Sequence, residues 1–139
     1  MASFNKFQDF VEQLGKAIHD LDGTHTLKVM LTNSAPVATN TVFANITDIT
    51  AENGYTAAGT ATSPTWSETT GTAKLVCTDV VFTASGGTIG PFQYAVLYND
   101  TATSKNLIAW WDYGSAVTLQ DGETFTVDFD ASAGVFTVA

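Results

Sequence analysis

Two histidines, one cysteine and 14 carboxylates are the groups in this 139-residue chain that could join a reaction or hold a metal. Their spacing serves neither purpose. His19 and His25 fall outside any HExxH or paired-ligand pattern, so His19 reads as a helix-surface residue and His25 as a strand-edge residue. Cys77 lies in the alternating run KLVCTDVVFTA and reads as a small buried hydrophobe, since a thiol nucleophile needs a histidine base that no motif supplies. A lone cysteine excludes an internal disulfide and a thiolate zinc cluster. The turn Ser85-Gly86-Gly87 is glycine-rich, but no GKS or GKT follows to cradle a phosphate.

The carboxylates come nearest to a pattern. Asp128-Phe129-Asp130-Ala131-Ser132-Ala133-Gly134 has the outline of a calcium loop, but Ala133 occupies the glycine position and Ala139 the closing glutamate position, which excludes an EF-hand. Asp128 and Asp130 share a strand face, with Asp112, Asp121 and Glu123 near in sequence; solvated turns are the default reading, an incidental calcium ion the alternative. No two acids are placed around a cleft as glycoside hydrolysis requires. The sequons at Asn45 and Asn99 are expected by chance in a chain with 23 threonines. The expectation is a non-enzyme with no catalytic, cofactor or metal residues.

Charge narrows the partners. With no arginine, 5 lysines and a net charge of −9, the chain repels phosphate backbones and lacks the basic patch that anionic membranes attract. No nucleic acid and no membrane are expected. No secretory pattern opens the sequence and no apolar stretch approaches 18 residues, so synthesis and folding in a cytoplasm are expected.

The elements that must position these groups change period at Gly23. Before it, Phe4, Phe7, Val11, Leu14, Ile18 and Leu21 recur at 3-4-3-4-3 spacing, which predicts an amphipathic helix over Ser3 to Leu21, widened by Phe10. Residues 1–23 would form this helix and residues 24–139 a β-sandwich or jelly-roll domain. The helix would lie across an open sheet face or act as an arm against another subunit.

After Gly23, Leu27, Val29 and Leu31 alternate with Lys28, Met30 and Thr32 as a first strand. Val42, Phe43, Ile46 and Ile49 fit one or two helical turns, and residues 57–72 read as a long loop or irregular edge strand in which Trp66 is pinned to the body. Residues 74–84 read as one strand, and residues 92–139 as one uninterrupted antiparallel meander. Within it the adjacent Trp110 and Trp111 must point to opposite faces, so both faces of that strand need a cover. A cover from the chain itself is favoured over one from another protein. The side chains expected at interfaces are Phe4, Phe7, Val11, Leu14, Ile18, Leu21, Trp66 and Trp110.

Three phrases carry a resemblance: LKVMLTNSAPVATNTVFANITDITAENGYTAAGT, DVVFTASGGTIGPFQYAVLYNDTATSKNLIAWWDYG and DGETFTVDFDASAGVFTVA. Together they resemble small virion structural proteins of tailed bacteriophages over Leu27 to Ala139, and within that group capsid decoration, or cement, proteins. The resemblance implies a β-sandwich or jelly-roll body, a homo-oligomer (dimer or trimer), the major capsid protein as partner, and a place on the outside of the head shell after folding in the host cytoplasm. It carries over no individual contact residue. The competing readings are a tail or fibre module that binds host glycans through Trp66 and Trp110, or another minor virion structural protein.

Overall fold

The computed structural model describes residues 2–139. The protein is mainly β, and every strand pair among the described residues is antiparallel. Its elements are β1 (Ser3–Lys6), α1 (Phe10–Gly15), β2 (Leu27–Thr32), a 3-10 turn (Phe43–Asn45), β3 (Thr60–Thr62), β4 (Pro64–Thr69), β5 (Thr72–Cys77), β6 (Val80–Thr83), β7 (Ile89–Asn99), β8 (Leu107–Leu119), β9 (Thr124–Val127) and β10 (Phe136–Val138). A five-stranded sheet runs β1-β8-β7-β2-β3, beside a three-stranded sheet β10-β5-β4 and the ribbon β6-β9. Among the described residues no helix is long and apolar enough to cross a membrane.

Two cores divide the faces of the large sheet. On one face Leu27, Val29, Leu31, Ala95, Leu97 and Ala109 pack against Leu75 and Cys77 of the small sheet and Val80, Phe82 and Val127 of the ribbon. This layering is compatible with a β-sandwich. On the other face Met30, Val96, Tyr98 and Leu107 are covered by Phe7, Phe43 and Ile46, and Trp110 packs beside them. The expected cover thus comes from the chain itself. It is the stretch after β1 and the 3-10 turn, however, and not a long helix. A register shift between Leu97 and Tyr98 lets Leu97 face Ala109 and Tyr98 face Leu107, so Ile108 is the extra residue of a bulge and is buried in the first core.

The N-terminal helix is corrected. Ser3–Lys6 is a strand, paired with β8 from Ser3↔Asp112 to Lys6↔Ala109, and only Phe10–Gly15 is helical. The free edge of β8 offers backbone partners that an isolated helix would not use, and tertiary pairing overrides a heptad pattern. Termination is local. Ala17 N–H reaches Leu14 O (3.2 Å) and Ile18 N–H reaches Gln13 O (3.0 Å), the two bonds of a Schellman stop, with Ala17 left-handed at φ 61°. Gly15 had already weakened any continuation, since a helical glycine costs about 1 kcal/mol relative to alanine.

Three other expectations change. The stretch after residue 92 is not one meander: β7 and β8 form a hairpin, but β9 returns to β6 and β10 to β5. The runs NLIAWWDY and SAVTLQ join into the single strand β8 of 13 residues. The predicted strand over residues 74–84 breaks at Thr78-Asp79 into β5 and β6, which lets one chain segment serve two sheets. Residues 57–72 follow the edge-strand alternative and not the long loop: β3 and β4 are edge strands of two different sheets.

Candidate interaction surface

The fold puts six of the eight side chains expected at interfaces into three separate places. Phe7 is fully buried, with its ring 4.5 Å from that of Trp110, itself half-buried. Leu14, Leu21 and Trp66 line one shallow depression with Ala17, His19, Asp20 and the exposed Val138, and Trp66 is held against Phe136 at 6.0 Å. Phe4 lies apart from both on the edge strand β1 and is 42% exposed. Val11 and Ile18 are exposed and join none of these groups: Val11 is on the outer side of α1, whose buried residue is Phe10, and Ile18 follows the turn at Ala17.

Phe4 belongs to a groove that the expected list largely missed. In register opposite Phe4 is Trp111, whose ring meets Phe4 edge-on at 5.8 Å and Phe129 edge-on at 5.4 Å. Tyr113, Val127 and Val135 complete a groove of about 350 Å³, with Asp128 and Asp130 on its rim. Phe4 is exposed while Trp111, Tyr113 and Val135 are half-buried, so aromatic and apolar surface reaches solvent there. The legible signal was the Trp110-Trp111 alternation: one tryptophan goes under the N-terminal segment, the other into this groove. The contribution of Phe129 and Val135 was not legible, because it depends on how residues 128–135 fold back between β9 and β10.

The rim carries fixed negative charge. Asp130 Oδ1 accepts the Ala133 (2.8 Å) and Ser132 (2.7 Å) N–H groups, and these backbone donors hold its carboxyl below the usual range, with a small contribution from Lys74. Lys74 itself donates to Ser132 O (2.7 Å). Burial pushes the Tyr113 hydroxyl up to about 12, so it stays neutral. The groove is therefore an aromatic trough beside two carboxylates, suited to an Arg or Lys side chain that stacks on rings while its charge meets the rim.

The remaining carboxylates of the calcium alternative are used in separate turns. Asp112 accepts from Gln93 and from Gly114 N–H, Asp121 from Gly86 N–H, and Glu123 from Gln120 N–H. Among the described residues no group of three or more His, Cys, Asp or Glu side chains could hold a metal ion. Cys77 is buried in the first core, where burial pushes its thiol up to about 12. Native protein should therefore react with a thiol reagent at least about 100-fold more slowly than unfolded protein at pH 8, as followed by mass spectrometry. Equal rates would show that the core opens readily at β5.

His19 differs from its reading as a surface helix residue. It follows the helix and is buried, with a relative exposure of 6%. His25 is half-buried beside it, and both rings face the side chain of Asn99.

No family model matches the chain, and neither a curated protein nor a solved structure matches it.

Proposed function

We propose that this chain is a capsid decoration protein that binds the exterior of a tailed-phage head shell and stabilises it without doing chemistry. The observation that carries this reading is the acid-rimmed aromatic groove of Phe4, Trp111, Tyr113, Phe129 and Val135 on a β body. Its partner in this reading is a segment of the major capsid protein that presents a basic side chain. A net charge of −9 steers such a segment toward the protein and keeps free copies apart in the host cytoplasm before assembly. As a homo-oligomer, dimer or trimer, it would engage several shell subunits at once and turn a modest contact into a strong one. In this reading the antiparallel sheets are those of a jelly roll. The tail or fibre alternative needs stacking faces on Trp66 and Trp110, and these rings lie against Phe136 and Phe7 instead.

The test uses heads that lack the protein. Added protein is expected to bind them and raise their resistance to heat. The variant Asp128→Lys should bind about 10-fold more weakly or worse while melting like the parent, because Asp128 is exposed and its carboxylate takes no hydrogen bond among the described residues, unlike that of Asp130. Heads that are equally heat-stable with and without the protein, and that retain no copies, would reject the reading. Binding to host cells in place of heads would favour the tail module.

A further inference from the structure

At the end of β7 the fully buried Asn99 ties two distant stretches together. Its Oδ1 accepts the N–H groups of Thr101 (3.0 Å) and Ala102 (3.2 Å), which fixes which way the amide points. The two protons of Nδ2 are then shared among Nδ1 of His25 (3.0 Å), Nδ1 of His19 (3.2 Å) and the carbonyl of Ile18 (3.3 Å). Nδ1 of His25 also accepts the N–H of Asp20 at 3.2 Å. A ring nitrogen that accepts carries no proton, so both imidazoles are neutral with the proton on Nε2. Nε2 of His19 is buried without a partner among the described residues, and the ring rests against Phe10 at 5.2 Å. Nearby, Thr26 N–H donates to Thr101 Oγ1 at 2.8 Å.

We propose that His19, Asn99 and His25 form an acid-released latch that holds residues 18–26 against the turn at residues 99–102. A proton on either Nδ1 would set an N–H against the Asn99 amide, whose own donors cannot be turned away without breaking its bonds to Thr101 and Ala102. A proton on each ring would add repulsion between the two imidazolium ions. The charged groups around the pair are Asp20 and Asp22 on the same segment, Asp9 at the start of α1, and Asp100 after β7, whose carboxylate is taken by Lys28 and Lys105. Among the described residues none of these carboxylates hydrogen-bonds either ring. Opening would uncover the buried Leu21 beside Leu14 and Trp66. The latch does not depend on the capsid reading.

Burial first, and the neighbouring His25 second, hold the His19 imidazole down at about 4, with Asp9 opposing. In an opened segment a histidine returns to roughly 6.5. The folded form is thus the weaker base. The closed latch is fully favoured above about pH 6.5 and loses its advantage as pH falls toward 4.

Hydrogen exchange of the Asp20 and Thr26 amides tests this. Between pH 7 and pH 5 their protection factors are expected to fall about 20-fold, the loss due to His19 with an opened value near 6.5, while far-ultraviolet circular dichroism stays constant. Replacing Asn99→Asp puts an acceptor where the amide donated, so protection should instead fall as pH rises from 5 to 7. A merely structural Asn99 would leave that variant weaker at pH 5 than at pH 7, and that result overturns the latch. Should Asn99→Asp not fold, His19→Asn keeps an oxygen near the position of Nδ1 without a titrating proton and should remove most of the roughly 20-fold pH effect. Protection that is independent of pH in the parent, or a pH effect unchanged by His19→Asn, overturns the proposal.

Discussion

Replacing Gly59 with alanine is expected to leave little folded protein, with a cost above about 4 kcal/mol and a melting temperature lower by about 15 °C or more. Gly59 is buried at the entry to β3, with φ +88°. A Cβ there would stand 2.0 Å from the carbonyl oxygen of Val29, 2.6 Å from its carbon and 2.7 Å from the Cα of Met30. All three are backbone atoms of β2, inside the five-stranded sheet, so no side chain can turn aside to make room. The turn cannot retreat either. Asp48 accepts the Ala58 N–H at 2.6 Å, and the Tyr98 hydroxyl donates to the Ala58 carbonyl. Tyr55 reinforces this anchor, donating to Asp48 while accepting the Leu31 N–H at 3.0 Å.

Gly71→Ala separates close approach from backbone strain. Gly71 has a similar φ of +85°, but nothing among the described residues lies within 4 Å of its added Cβ. That variant should lose only the left-handed strain, roughly 1–2 kcal/mol. Thermal melts of the two variants side by side decide the matter. If they fall within about 2 °C of one another, the contact between the 56–59 turn and β2 is not as tight as described.

How much of this architecture was legible depends on whether a residue's role was set by its neighbours in sequence. The period-two run of β2 was legible, because alternation alone sorts Leu27, Val29 and Leu31 to one core and Met30 to the other. Trp110 and Trp111 were legible for the same reason, and they locate both the second core and the groove. The path of β9 and β10 was not legible, since a strand's own sequence does not say which edge it will join. His19 and His25 were passed over because a pair of histidines six residues apart has no motif. Only the return of Asn99, 80 positions after His19, gives them a common partner. The groove is a similar case: Phe4 and Phe129 are neighbours of Trp111 through strand pairing and a fold-back that no local pattern encodes.

The heptad stripe is the sharpest failure of local reading, and Phe7 measures it. A helix from Ser3 to Leu21 would give Phe7 and Val11 equivalent places on one apolar face. In the fold they are opposites: Phe7 is 0% exposed and Val11 55%. Phe7 directly follows β1, and its N–H reaches the carbonyl of Ile108 at 3.2 Å, which points the ring into the second core beside Met30, Val96, Tyr98 and Leu107. Few other groups close that face of the sheet, so a cavity left by Phe7 could not be filled by a neighbour's rotation without baring Trp110. Phe7→Ala is therefore expected to cost about 3–5 kcal/mol, the range for emptying a buried phenylalanine site. Val11→Ala should stay within about 0.5 kcal/mol of the parent, as exposed positions do. Urea unfolding of both variants, with the slope of each transition compared with the parent's, reads the two costs directly. Equal costs would restore the continuous helix and remove Phe7 from the second core. A large cost at Phe7 alone would establish that the N-terminal segment is a structural cover of the sheet. An arm released to a partner subunit would then have to leave Trp110, Val96 and Tyr98 open to water, which the free protein could not sustain.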